Sequence, residues 1–248
     1  MFGEILVVVY LIAAIAVGVK VFTRTISWLP ETDRVMYMVS LSIGFAWGFL
    51  TVVVAVVVEG VILYTVYSHL GLAAALAVLA ITVGPIEEGA KLIPYVAKKN
   101  ESELYRWNLT IKAALAFGVI EGIGYFLLLF FSGNPIGAFV RLIVIAFHVL
   151  WTAIALEEAL RGDLLRGYLK ASAVHSLYDA PAMLLLAGAG PLAGLIALVS
   201  LGALVYMYKA SETSFRFAYE YAKRKIEEKR RAEAEITSLI EAGTISSP

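Results

Sequence analysis

Long apolar runs alternate along this chain with short polar breaks, and the runs have the length of buried or membrane helices rather than strands. They cover 4–22, 35–65, 70–97, 110–131, 138–160, 168–188 and 190–209. A helix needs about 20 apolar residues to cross a bilayer, which each run supplies. The second run is long, which predicts a tilt or a kink. The sixth and seventh meet at Gly188 to Pro191, a turn signal between two apolar runs. The first begins within four residues of Met1, without a basic flank or a small-residue cleavage site, and reads as a retained helix. From Ser211 the pattern changes: Phe215, Ala218, Tyr219, Ala222 and Ile226 recur every three or four positions between charged residues. This predicts an amphipathic helix lying on the membrane surface, then a charged helix to about Ala242. The expected fold is an all-α membrane protein with about seven transmembrane helices over 1–209 and a cytoplasmic helical tail over 210–248.

Composition supports the bilayer as solvent. Of 248 residues 60% are hydrophobic and 16% charged, with a mean hydropathy of +0.83. A soluble domain has about half apolar and roughly a quarter charged residues, so soluble enzyme folds, nucleic-acid readers and disordered chains are excluded. The absence of cysteine removes disulfides, thiol nucleophiles and thiolate metal sites together. The formal net charge is zero, but the charges are placed unevenly. Lys20, Arg24 and Arg34 follow the first run; Lys98, Lys99, Arg106 and Lys112 follow the third; Arg161, Arg166 and Lys170 follow the fifth. A basic tail follows the seventh, whereas the breaks near Ser68, Asn134 and Gly190 carry no Lys or Arg. The positive-inside rule then places the N-terminus outside and the C-terminus in the cytoplasm.

Ionisable side chains inside a span are costly and mark functional positions. Glu87, Glu88, Glu121, His148, His175 and Asp179 lie about seven to twelve residues from the cytoplasmic ends of four successive runs, and Lys91 is a further ionisable residue in the third. At 1.5 Å per residue they share one layer roughly 10–18 Å deep. Glu59, Glu157 and Glu158 lie nearer helix ends and read as solvated. Arg141 sits just inside its run. Glu87 and Lys91 are four apart, as are His175 and Asp179, and each pair shares a helix face. Pro85 before the glutamates removes a backbone donor. Gly118, Gly122 and Gly124 around Glu121 permit close helix approach, and Tyr125 shares its face.

Two carboxylates and two imidazoles around a wet pocket suit hydrolysis, in which a carboxylate takes a proton from water and a cationic group stabilises the oxyanion. The same residues suit a divalent metal such as zinc, held by His148, His175 and Glu121 or Glu88. A proton-coupled transporter or channel using the buried acids as a relay is the rival class, although the chain shows no repeated half. No G-x-S-x-G elbow is present.

At these residues the sequence resembles the PrsW family of intramembrane proteases, distant relatives of the CAAX prenyl proteases. The EExxK motif after a proline matches Pro85, Glu87, Glu88 and Lys91. FxxxENxxY matches Phe117, Glu121 and Tyr125, with Gly122 in place of Asn. A His followed by Trp matches His148 and Trp151, and HxxxN matches His175 with Asp179 for Asn. The likeness covers about 105 residues, from Ile81 to Leu185. The CAAX branch carries an Arg where this chain has Leu92 and a Phe where it has Val144, which favours the PrsW branch. The resemblance implies an intramembrane endopeptidase with its catalytic core in 81–185. Glu87 or Glu88 would activate water, and Glu121, His148 and His175 would complete the pocket. The expected base is Glu88, with Glu87 paired to Lys91, and with Lys91, Tyr125 and Asp179 supporting. The expected partners are the lipid bilayer and a membrane-anchored protein or peptide substrate, with no nucleic acid. The expected location is the plasma membrane of a prokaryote.

Overall fold

The computed structural model describes residues 2–36 and 39–241, and every element among them is helical. The order is α1 (Phe2–Met36), α2 (Leu41–Lys91), α3 (Ile93–Ala97), α4 (Glu103–Phe131), α5 (Pro135–Leu160), α6 (Leu164–Leu186) and α7 (Gly190–Glu241). Short polar side chains start four of them. Ser40, Ser102, Asn134 and Asp163 each accept a hydrogen bond from a backbone N–H of the first turn, and Pro135 opens α5 where no donor is needed.

The 51 residues of α2 are two helical segments divided at Gly71, whose φ of 83° is open to glycine and costly for other residues. The first segment runs parallel to α4, with Gly44 against Lys112 and Gly48 against Ala116. The second runs antiparallel to α6: Ile81 meets Ser176, Gly84 meets Ser172, and Pro85 meets Tyr168. Helices α4 and α5 are antiparallel through Gly118 and His148, and α5 and α6 through Ala155 and Gly167. Helix α7 returns along α6, where the Ser200 hydroxyl donates to the Leu177 carbonyl. Helix α1 lies parallel to α7, from the Gly3–Gly190 approach at one end to Trp28 against Tyr219 at the other. Helix α5 is the most enclosed of the long helices and touches α1, α4, α6 and α7.

Five helices are long and apolar enough to cross a membrane: Phe2–Val35, Leu41–Ala97, Glu103–Phe131, Pro135–Leu160 and Gly190–Leu239. Seven were expected from the apolar runs. The difference has two causes: the two segments of α2 count once, and α6 is made less apolar by Arg166, Lys170, His175 and Asp179. Many large apolar side chains point outward, among them Val57, Val61, Ile81, Leu128 and Phe131, as a hydrocarbon solvent permits.

The tail departs from expectation. Helix α7 passes the 209/210 boundary unbroken, and its apolar stripe is covered by protein instead of lying on a bilayer. Phe215, Ala218 and Ala222 are fully buried. Arg24 pairs with Glu212 at 3.5 Å, Ser214 donates to Glu157 at 2.7 Å, the Arg161 guanidinium lies over the Phe217 ring, and Tyr221 bonds Glu103. The physical reason is the length of α1, whose 35 residues extend beside α7 and offer an apolar partner there. From Lys223 onward the described side chains are mostly exposed, as the charged pattern predicts.

Candidate active site

Pro85 determines how the glutamates are presented. Lacking an N–H, it leaves the Ile81 carbonyl without its helical donor, and the Ser176 hydroxyl of α6 donates there instead at 3.0 Å. The Tyr168 hydroxyl donates to the Pro85 carbonyl at 3.2 Å. Gly84 lies so close to the backbone of Ser172 that a Cβ would collide with it. Two side-chain bonds and one glycine thus dock the second segment of α2 on α6, which sets Glu88 against His175.

Six polar contacts then form one horseshoe. Arg141 donates to Glu121 Oε1 at 2.8 Å, and the other oxygen of Glu121 lies 2.8 Å from His148 Nε2. The Lys91 ammonium is 3.0 Å from His148 Nδ1 and 2.6 Å from Glu88 Oε1. The same Glu88 oxygen is 2.8 Å from His175 Nδ1, and His175 Nε2 is 3.1 Å from Asp179 Oδ2. An ammonium donates only, so His148 accepts at Nδ1 and carries its hydrogen on Nε2, toward Glu121. Both nitrogens of His175 face carboxylate oxygens, an arrangement that calls for two N–H donors. Trp151 stacks on the His175 ring at 3.8 Å between centroids, and Phe117 lies beside His148 at 5.4 Å.

Glu87 lies inside the horseshoe and belongs to none of the six contacts. Its Oε2 is 3.5 Å from His148 Nδ1, 3.7 Å from Lys91 Nζ and 3.9 Å from His175 Nε2, and it makes no hydrogen bond among the described residues. Exposure grades along the horseshoe. The side chains of Lys91 and Glu88 are 0% exposed, whereas those of Glu121, Asp179 and Arg141 at its open ends reach 18%, 20% and 21%.

The five residues expected from sequence, Glu87, Glu88, Glu121, His148 and His175, do come together, and Lys91 and Asp179 join them. The pairing of the two glutamates is reversed: Lys91 forms its short contact with Glu88, three residues away, not with Glu87, four residues away. His175 decides this, since it holds Glu88 on the α6 side. Tyr125 makes none of the six contacts and lies half exposed at one open end, with the Arg141 guanidinium 4.0 Å above its ring. The expected metal donors also regroup. The ligand atoms within 4.8 Å of one another are those of Glu87, Glu121 and His148, while His175 and Glu88 are turned to each other.

Two further residues belong to the site. Arg141 closes one end of the horseshoe. Glu59, on the first segment of α2, buries its Oε1 without a hydrogen bond among the described residues, within electrostatic reach of Glu121, His175 and Asp179. In the sequence each was an ionisable group near a helix end. The charge sign opposite Glu121 was the available signal for Arg141. Glu157 and Glu158 are likewise engaged: Glu157 binds Arg161 and Ser214, and Glu158 binds Lys170.

Comparison of the chain with protein-family models, with curated proteins and with solved structures finds no match.

Proposed function

We propose that this protein is an intramembrane endopeptidase of the PrsW type that hydrolyses a peptide bond of a membrane-anchored protein or peptide, with Glu87 as the base. One observation carries the reading: the buried Glu87 Oε2 makes no hydrogen bond among the described residues and is faced by an ammonium and two imidazoles at 3.5–3.9 Å. Glu87 takes a proton from water, and the resulting hydroxide adds to the carbonyl carbon of the scissile bond. Lys91, 3.7 Å from the Glu87 carboxylate and held by Glu88, supplies positive charge for the developing oxyanion. Glu87 then returns the proton to the leaving nitrogen as the C–N bond breaks. His148 and His175 flank the Glu87 carboxylate, with Glu121 and Asp179 beside their Nε2 nitrogens.

The reading includes seven crossings. The two segments of α2 and the helices α1, α4, α5, α6 and α7 alternate in direction, and the basic connections all fall at one end. That end is cytoplasmic by the positive-inside rule, with the N-terminus outside and the tail inside, in a prokaryotic plasma membrane. A divalent metal such as zinc would draw on Glu87, Glu121 and His148. That donor set already faces the Lys91 ammonium, 3.0 Å from His148 Nδ1, and the proposed steps need no metal.

The test uses the full chain reconstituted in vesicles with a membrane-anchored reporter. Cleavage is expected, unaffected by a chelator, and abolished in Glu87→Gln. A proton-coupled flux lost in Glu87→Gln, with no peptide product, would overturn the protease in favour of a transporter or channel.

A further inference from the structure

Outside the horseshoe, the membrane-facing flank of α6 carries two adjoining depressions. One is an apolar groove of about 590 Å³ between the second segment of α2, α6 and the start of α7, lined by Ala77, Ala80, Ala173, Ala180, Leu184 and Ile196 among others. The other is a pocket of about 460 Å³ at the first turns of α6, bordered by Asp163, Arg166 and Lys170. Leu169 and Ala173 belong to both, so the polar pocket opens into the head of the groove.

The lining selects the occupant. From Leu169 to Leu184 the groove follows α6 for about 22 Å at 1.5 Å per residue. Its walls are apolar apart from the Ser172 and Ser176 side chains, which suits a hydrocarbon chain, and charged side chains border only its Leu169 end. At the head of the groove two cations share one carboxylate: Lys170 pairs with Glu158, and Arg166 Nε is 3.9 Å from the same group. The Asp163 carboxylate is occupied in capping α6, where it accepts from the Arg166 N–H. Arg166 is largely exposed and Lys170 about one-third exposed, so an anion at the bilayer surface can reach both beside Glu158. Cations at this depth meet the phosphate level of a bilayer, and the groove begins one turn deeper, where acyl chains begin.

We infer that this flank binds one anionic glycerophospholipid, with its phosphate on Arg166 and Lys170 and one acyl chain along the α2–α6–α7 groove. The site stands apart from the proposed protease chemistry and does not depend on it. A chain in the groove lies against Ile81 and Pro85, on the helix that presents Glu87 and Glu88.

Native mass spectrometry of the full chain released from detergent provides the test, with phosphatidylglycerol, phosphatidylcholine and inorganic phosphate as probes. One phosphatidylglycerol is expected to be retained in preference to phosphatidylcholine, and phosphate alone is not expected to bind. Removing both cations in Arg166→Ala/Lys170→Ala should weaken retention about 30-fold, from roughly 1 kcal/mol per basic residue. Ala173→Trp should block retention by filling the junction, while Val57→Trp, on another lipid-facing surface, should not. Thermal melts check that each variant is folded. Equal retention by all variants, no headgroup preference, or binding of free phosphate would overturn the inference. So would a photoreactive probe at Ala180 that captures a peptide instead of a lipid.

Discussion

Glu87 and Glu88 are adjacent and of the same residue type, yet the structure predicts that neutralising them changes stability in opposite directions. Glu88 is fully buried and holds both Lys91 at 2.6 Å and His175 at 2.8 Å. Glu88→Gln keeps an acceptor oxygen but removes the charge that matches Lys91 and His175, and breaking a buried ion pair costs about 3–5 kcal/mol. Glu87 is the surplus charge. Lys91 is matched by Glu88, Arg141 by Glu121, and His175 by Asp179, whereas the basic nitrogens around Glu87 Oε2 lie at 3.5–3.9 Å. Its attraction to Lys91 is offset by repulsion from Glu88 and Glu121. What remains is the cost of burying an unpaired charge, which exceeds that of an unsatisfied neutral group, about 1–3 kcal/mol, and Glu87→Gln removes that excess. For a chain of this size each kcal/mol moves the melting temperature by roughly 2–4 °C. Glu87→Gln should therefore melt several degrees higher than the parent, and Glu88→Gln roughly 10 °C lower. The assay is thermal unfolding in detergent followed by intrinsic tryptophan fluorescence, since Trp151 lies on His175 and the chain has no cysteine for thiol dyes. A Glu87→Gln variant that melts below the parent, or two variants that shift alike, would refute the division of roles.

Three further outcomes are expected. Gly84→Leu should separate α2 from α6 and abolish cleavage, with an overpacking cost of about 1–3 kcal/mol in melts; Gly60→Leu, where nothing lies within 4 Å, should be silent. Ser176→Ala leaves the Ile81 carbonyl without a donor and should cost about 1 kcal/mol, recovered in Ser176→Thr. Phe215→Ala should cost about 3–5 kcal/mol, as for a core aromatic, when read by denaturant titration of the full chain. A tail resting on lipid would show almost no change there.

The membrane class and the membership of the site were legible in the sequence because both follow from scarcity. Few charges remain inside the apolar runs, and those few converge. Finer relations depended on neighbours that spacing does not specify. Residues three and four apart on a helix are equally reachable, so Lys91 had two candidate partners until α6 supplied His175 to hold one of them. Tyr125 shares a face with Glu121 but stacks under Arg141, a side chain from another helix. The tail shows a similar limit. An apolar stripe states that something covers it, and periodicity does not distinguish a bilayer from the far end of α1.

The substitution of Ser176 for the donor missing at Pro85 has a consequence for biosynthesis. Ile81 and Ser176 are 95 residues apart in the chain, and Glu88 and His175 are 87 apart. At 5–20 residues per second, on the order of 5–20 s separates the emergence of the proline break from that of the helix that repairs it. Through that interval the α2 segment enters the membrane with an open carbonyl and a Glu88–Lys91 pair lacking its histidine. The nascent chain is thus without its finished centre until α6 arrives, and the last partner to dock both mends the backbone and completes the polar ring.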